Sequence, residues 1–269
     1  MILAWDPSAD VVDPRRRGNP RMPPSDMPEI DIVMVAHNEA DSIESVMRSF
    51  YKTVSGYARV ARIVVAEDGS TDGTKEILTA LARELPLHLV LGQHRKGYAG
   101  AVRDALCATE AGIVLFVDSD GQYLASDFAG LLAAFKAADM VIGSKIRRRD
   151  AYHRILMSRV FHAVTRILFG IRLQDPDCGY RLIRGDLART FARQCYLLPY
   201  SYWTEFTVRM AKASFKIHEV RVNHQPRLSG NSKVYPLRKI PLVVVPQTVG
   251  LLKLWAELGR QNLSRREAL

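Results

Sequence analysis

The sequence predicts an α/β fold: a mostly parallel central sheet flanked by helices, in a single domain with an amphipathic C-terminal helix. Three observations carry this. From Ile30 onward, short and mostly β-branched apolar runs bounded by turn or charged residues alternate with segments of helical spacing, four times in succession. That order requires right-handed crossovers between parallel strands. The 269 residues are 48% hydrophobic and 25% charged, an ordinary globular makeup with enough apolar material for one core. Glycines and carboxylates directly follow several of the apolar runs, at the sheet edge where open α/β sheets bind ligands.

Taken in order, Ile30 to Val35, Ile63 to Ala66, Leu87 to Leu91, Ile113 to Val117 and Met140 to Ile142 are the predicted strands, buried on both faces. Asp41 to Lys52, Thr74 to Arg83, Ala99 to Glu110 and Asp127 to Ala137 carry the helical spacing between them. After residue 144 the alternation loosens. Ala151 to Phe169 is a predicted basic amphipathic helix, Trp203 to Ala213 a further helix, Lys216 to Val222 a strand, and Pro236 to Leu258 a helix with an early break. Residues 1–28, rich in proline and carrying Arg15-Arg16-Arg17, are expected to form a disordered or loosely attached tail. The expected organisation is a domain over 29–235, split into a first half (29–144) and a second (145–235) that completes its site, and a C-terminal helix over 236–269.

Charge divides the same way. Up to Ser144 there are 14 basic and 20 acidic side chains; beyond it, 24 basic and 8 acidic. The second half therefore suits a polyanion: nucleic acid, an anionic membrane surface or a phosphorylated substrate. Cys107, Cys178 and Cys195 are few and show no CxxC spacing, so neither a disulfide framework nor a zinc site is expected. The N-terminal stretch lacks a basic segment followed by an apolar one, so no signal peptide is expected. The longest uncharged apolar run, Ile240 to Leu252, falls short of the roughly 20 residues that span a bilayer, so the chain is expected to be soluble or to lie on a membrane.

Chemistry concentrates at the strand ends. The first strand runs into Ala36-His37-Asn38-Glu39-Ala40, where Glu39 either favours the next helix N-terminus or accepts a hydrogen bond from a ligand. The second runs into Glu67-Asp68-Gly69-Ser70-Thr71-Asp72-Gly73-Thr74. Ser70, Thr71 or Asp72 can cap the following helix, which accounts for part of this motif. Adjacent Glu67 and Asp68 repel each other, which suits a site where one of them binds a base or ribose. The fourth strand runs into Asp118-Ser119-Asp120-Gly121-Gln122. An Asp-x-Asp turn directs two hard oxygen ligands at one point, and Gly121 lets the backbone turn so that Gln122 adds a third. Mg²⁺ and Mn²⁺ take such oxygens and bridge them to substrate phosphates.

With these motifs in order, AHNEA, VVAEDGSTDGT and DSDGQ, followed by IGSK, DPDCGYRLIRG, the stretch from Tyr202 to Glu219 and RLSGNSK, the chain resembles glycosyltransferase family 2 over roughly residues 30 to 235. Within that family it resembles the polyprenyl-phosphate, dolichol-phosphate mannose synthase-like sugar transferases. The resemblance implies a GT-A (Rossmann-like) fold. It implies that Ala36, Asn38, Glu39, Glu67, Asp68, Asp118, Ser119 and Lys145 bind the nucleotide sugar, and that Asp118, Asp120 and Gln122 surround Mg²⁺ or Mn²⁺. It also implies that Arg227 and Lys233 act with Asp118 and Asp120 in catalysis. Asp175, Arg181, Glu205, Arg209 and Ser232 are implied at the acceptor phosphate or just behind it. Three positions depart from the family pattern: Glu67 replaces the usual first Asp, Lys145 replaces Arg, and Asp177 stands where Thr is common.

The expected function is inverting transfer of a sugar from a GDP- or UDP-linked donor to a polyprenyl phosphate at the cytoplasmic face of a membrane. The donor- and hinge-rich loop from Asn223 to Lys233 is expected to close cations over phosphates. A lipid phosphate is anionic near neutral pH and needs no base, whereas a hydroxyl acceptor, the alternative, would use Asp175 or Asp177 as one. The helix from Ala151 and the segment from Ile240 set apolar stripes beside arginines, as monotopic membrane binding requires. Either these contacts suffice or a separate membrane subunit holds the enzyme. A non-enzymatic nucleic-acid-binding module is a remote alternative, because interleaved aromatic and basic patches are missing. No nucleic-acid partner is expected.

Overall fold

The computed structural model describes residues 27–92, 94–146, 152–226 and 240–267. The expected N-terminal tail, apart from its last residues, and Arg227, Ser232 and Lys233 lie outside them. Seven strands form one sheet: β1 (Glu29–Ala36), β2 (Arg59–Glu67), β3 (Leu87–Leu91), β4 (Ile113–Val117), β5 (Met140–Lys145), β6 (Tyr180–Arg184) and β7 (Ile217–Val222). Their order across the sheet is β3-β2-β1-β4-β6-β5-β7. All neighbours are parallel except those of β6, which runs antiparallel to both β4 and β5. The helices are α1 (Ile43–Val54), α2 (Thr74–Leu81), α3 (Tyr98–Cys107), α4 (Phe128–Phe135), α5 (Tyr152–Phe169), α6 (Gly185–Gln194), α7 (Tyr202–Lys212) and α8 (Ile240–Glu267).

The sequence explains the central strands directly. β1 reads EIDIVMVA and is buried at every position but the first, as a parallel strand covered on both faces must be. Ile32 pairs with Ile63 on β2 and with Leu115 on β4, so the three most apolar runs stand side by side. Helix α1 turns Ile43, Val46, Met47, Phe50 and Val54 inward at helical spacing. On β1 a buried charge interrupts the apolar run: Asp31 Oδ2 accepts the backbone N–H groups of Glu110 (2.7 Å) and Ala111 (3.0 Å) and an Arg62 N–H (3.2 Å), tying β1 to the start of β4.

β3 and β4 have the expected boundaries, and most other elements shift by one to four residues. The expectation that leaves no element between Phe169 and Trp203 is incomplete: β6 and α6 occupy Tyr180 to Gln194. β6 is only five residues long and contains two arginines, so it shows neither alternation nor an apolar run. Arg181 points into the core with no exposed surface. α8 runs through Pro246 without ending there and continues to Glu267. Leu242, whose carbonyl loses its partner to Pro246, is exposed, which makes that loss cheap.

Candidate functional site

Strand order reverses between β1 and β4: β2 and β3 lie on one side of β1, and β4 begins the other. A crevice opens beyond the carboxyl ends of strands at such a switch point. Here it is a cavity of about 600 Å³, lined by Ala36, His37 and Glu39 at the end of β1, Asp68 after β2, Arg95 to Tyr98 where α3 begins, Asp118 to Asp120 after β4, and Pro199 and Tyr200 before α7.

The loops around it are stitched together by the polar residues of the motifs. Asn38, in the left-handed backbone region at φ 57°, donates its N–H to the Ser70 hydroxyl (3.0 Å) and accepts from Thr71 N–H through Oδ1 (2.9 Å). The Glu39 N–H donates to Thr74 Oγ1 and the Ala40 N–H to Asp72 Oδ2. Ser42 Oγ donates to the Ser119 carbonyl, and Ser119 Oγ to the Val35 carbonyl at 2.7 Å. Much of AHNEA and DGSTDGT therefore fixes the ends of β1 and β2 against each other and against the Asp-x-Asp turn.

The four motif carboxylates separate by environment. Asp68 accepts the Lys96 N–H (2.5 Å) through one oxygen and the Gly97 N–H (2.8 Å) through the other, so it shapes the Arg95–Tyr98 loop as well as lining the cavity. Glu67 is buried and outside the cavity lining, with its Oε1 on the Ser70 N–H at 2.5 Å and Lys75 Nζ 3.6 Å from Oε2. Burial alone would raise its carboxyl, but the Ser70 hydrogen bonds and Lys75 outweigh that and hold it below the usual range. Asp118 is pushed up to about 7 by burial and then by the Asp120 charge, against the lowering effect of the Tyr98 hydroxyl. Two carboxylates thus converge, and the Tyr98 hydroxyl and the Lys145 charge offset the burial and repulsion only in part. The Asp120 Oδ1 accepts the Gln122 N–H (3.1 Å), while the Gln122 amide donates to the Gln225 carbonyl, which leaves its own oxygen for a ligand.

Among the described residues no group of three or more His, Cys, Asp or Glu side chains is placed to hold a metal ion. Two mutually repelling carboxylates and an amide oxygen fit a Mg²⁺- or Mn²⁺-type ion that would complete its shell with water and ligand phosphate.

The other predicted residues lie behind this face. Lys145 Nζ is 3.9 Å from Asp175 Oδ2, outside the cavity lining. Asp177 Oδ1 accepts the Thr204 N–H (3.2 Å) and hydroxyl (3.3 Å) at the start of α7, and is pushed up to about 6 by burial and the nearby Asp175 charge. Arg181 donates to the carbonyls of Pro176 (2.8 Å) and Cys178 (2.7 Å) and to Thr207, holding the DPDC turn from beneath. Glu205 accepts the backbone N–H groups of Tyr196, Leu197 and Leu198, and Arg209 joins it to Glu257 of α8. Glu205 and Arg209 thus fix the segment that leads into Pro199 and Tyr200. Arg95, Tyr98, Pro199 and Tyr200 are cavity residues that sequence reasoning misses. The glycine punctuation of RKGYAG was the available signal for the first two, since it marks a loop leading into a helix at the sheet's ligand edge.

Comparison with known proteins adds a family and a fold. The family model described as Glycosyl transferase family 2 matches residues 31–191. Glycosyltransferase AglD of Haloferax volcanii is 27% identical over 88% of this chain, which spans 39% of AglD's length. Glycosyltransferase AglJ of the same organism is 30% identical, covering 79% of this chain and 69% of AglJ. Polyprenol monophosphomannose synthase of Mycolicibacterium smegmatis is 27% identical, covering 64% of this chain and 69% of the relative. Among solved structures, glucosyl-3-phosphoglycerate synthase from Mycobacterium tuberculosis in complex with UDP superposes with a TM-score of 0.65 at 22% identity, covering 86% of this chain and 81% of that one. That synthase has also been crystallised with Mn²⁺, UDP-glucose and phosphoglyceric acid, with a TM-score of 0.63 at 21% identity. The seven-stranded sheet and its flanking helices form a GT-A fold.

Proposed function

Since the chain belongs to glycosyl transferase family 2, we propose that it moves a sugar from a GDP- or UDP-linked donor to a polyprenyl phosphate, with inversion at C1. The observation that carries this is the convergence of Asp68, Asp118 and Asp120 on one cavity at the β1–β4 switch point. The M. smegmatis relative, named a polyprenol monophosphomannose synthase, supports the acceptor class.

In this proposal Ala36, Asn38, Glu39 and Asp68 set the nucleotide against the ends of β1 and β2, with Asp68 acting partly through the loop it holds. Asp118, Asp120 and Gln122 hold the divalent cation. A bound Mg²⁺ or Mn²⁺ supplies Lewis-acid charge to the departing diphosphate. Lys145, Arg227 and Lys233 add cationic contacts to phosphates of donor or acceptor. No side chain is asked to take a proton from the acceptor, because the phosphate oxygen is already a nucleophile. Two engagements support that assignment: Asp177 caps α7, and Asp175 lies within ion-pair distance of Lys145.

Membrane attachment is proposed through α5 and α8. One helix among the described residues, over Leu242–Arg260, is long and apolar enough to cross a membrane, with a mean hydropathy of 1.3. It exceeds the run counted from sequence because it continues past Lys253 and Glu257. Yet Leu251, Leu254 and Leu258 pack into the domain core and Glu257 pairs with buried Arg209, which supports a helix lying along the protein. Its outer face exposes Leu242, Val245, Val249, Leu252 and Trp255, and α5 exposes Val160, Val164 and Ile167 beside Arg159 and Arg166. Apolar side chains among arginines suit an anionic leaflet.

The test is a transfer assay with a panel of nucleotide sugars and a short-chain polyprenyl phosphate in detergent. Transfer to the phosphate, none to the matching free polyprenol, loss in EDTA and recovery with Mn²⁺ are expected. Transfer to the free polyprenol, abolished by Asp177→Asn, would instead establish the general-base alternative.

A further inference from the structure

Tyr98 opens α3 and lines the cavity, with 41% of its surface exposed there. Its hydroxyl is 2.9 Å from Asp118 Oδ1 and 3.0 Å from the indole Nε1 of Trp203. The indole N–H is a donor only, so it occupies the acceptor side of the phenol and leaves the phenolic proton one direction, toward Asp118. Trp203 cannot turn away to release it. It is buried, its ring lies edge-on to Phe116 of β4 at 4.6 Å between centroids, and the Arg181 guanidinium sits 4.2 Å from its ring centre. The second Asp118 oxygen is hemmed in as well: a Cβ at Gly179 would overlap Oδ2, and the Asp118 N–H donates to the Gly179 carbonyl at 3.1 Å. Asp118 is therefore clamped between a hydroxyl on one oxygen and bare backbone on the other.

We propose that Tyr98 is a positioning residue for sugar transfer, its hydroxyl aimed by Trp203 to hold the Asp118 carboxylate in the orientation that receives the donor diphosphate and its cation. This rests on the cavity being the donor site. A carboxylate freed to rotate would sample orientations in which its lone pairs miss the ligand, and positioning of this kind acts on turnover more than on ground-state affinity. The exposed ring leaves room for the donor to pass over it, so the hydroxyl is separable from the packing.

The test removes only the hydroxyl. In Tyr98→Phe, folding should be intact by circular dichroism and kcat should fall about ten- to a hundredfold, the range for losing one charge-assisted hydrogen bond. KM for the nucleotide sugar should move less than about threefold. Calorimetric titration of Mn²⁺ into the chain saturated with GDP or UDP should show weaker Mn²⁺ binding in the variant, a readout independent of turnover. Trp203→Phe should lower kcat less than Tyr98→Phe. The double variant should be no worse than Tyr98→Phe alone, because both changes break one relay. Wild-type kcat and Mn²⁺ affinity in Tyr98→Phe would overturn the proposal, and additive losses in the double variant would overturn the role of Trp203. If Trp203→Phe fails to fold, Tyr98→Phe decides alone. Absence of nucleoside diphosphate binding in the wild-type chain would overturn the donor-site assignment, and this proposal with it.

Discussion

Asp177 caps α7 while carrying a carboxyl that burial and Asp175 push up to about 6. An acid whose folded pKa lies above its unfolded value near 3.9 binds its proton more tightly in the folded state, so stability falls as pH rises from about 4 through about 6. The cost is on the order of 2–3 kcal/mol at neutral pH. Asp177→Asn keeps an oxygen for the Thr204 N–H and removes the charge. It should raise the melting temperature at pH 8, leave it nearly unchanged at pH 4, and reduce transfer only mildly. A melting temperature lowered equally at both pH values would show that the carboxylate form is what the cap requires. Asp120→Asn should behave oppositely: a folded protein with turnover reduced by roughly two to three decades, the scale of losing a principal electrostatic stabiliser. Full turnover in that variant, or in excess EDTA, would remove the cation from the mechanism.

At this scale the sequence shows where charged residues gather at the strand ends but not what each one touches. The carboxylates at 67, 68, 118 and 120 stand out as closely spaced acids at the ends of apolar strands. That Glu67 turns away to Ser70 and Lys75, while Asp68 faces the cavity, depends on which side of the strand end each side chain leaves. The glycines around Tyr98 mark a loop at the ligand edge, but the role of its hydroxyl is not legible in the sequence, because its partners, Asp118 and Trp203, are 20 and 105 residues away.

Among the elements, α8 is the one whose attachment can be tested in isolation. Gly250 faces Leu197, where a Cβ would overlap the carbonyl oxygen, and Glu257 accepts from Arg209 at 2.8 Å and from the Tyr196 hydroxyl at 3.2 Å. Gly250→Val should destabilise by about 1–3 kcal/mol through overpacking. Glu257→Gln should cost about 1–3 kcal/mol, the scale for a hydrogen bond to a charged group. The Arg209 hydrogen bond holds the Glu257 carboxyl below its usual range, so its contribution is complete above about pH 4.5 and is lost as pH falls through the folded pKa. The difference in stability between wild type and Glu257→Gln should therefore narrow on acidification. A constant difference would mean packing, not charge, holds the helix. Element by element, strands of continuous apolar sequence were legible in the sequence because burial on both faces leaves no room for polar residues. β6 was not, since Arg181 and Arg184 interrupt its apolar run and part of what holds them is distant in sequence: Thr207 for one and Asp139 for the other, beside the nearby Pro176 and Cys178 carbonyls and Asp186.

For the whole molecule the asymmetry of charge is the controlling quantity. The excess of 24 basic over 8 acidic side chains after Ser144 lies in the part that carries α5 and α8. Co-sedimentation should require anionic vesicles, weaken between 50 and 500 mM salt as screening lengths shorten from above about 10 Å to below about 5 Å, and decline on truncation after Leu237. Equal sedimentation of the truncated protein would place the anchor elsewhere. The α/β class and the strand ends that carry the cavity carboxylates were legible at this scale because local alternation encodes them. The second half was less so, since its strands do not pair in sequence order.

The insertion of antiparallel β6 between β4 and β5 has a consequence for how the chain folds. Val117 pairs with Tyr180 and Ile113 with Arg184, so the strand that presents Asp118 gains its second neighbour only after a loop on the order of sixty residues has closed. Until then β4 is an open edge of apolar sequence, the kind that recruits other strands. Formation of that pair should be late and slow relative to docking of β1, β2 and β3, because loop closure must precede any contact that rewards it. A chain growing on the ribosome would hold an aggregation-prone edge until Arg184 had emerged, and refolding yield should fall with protein concentration more steeply than for a sheet assembled in sequence order.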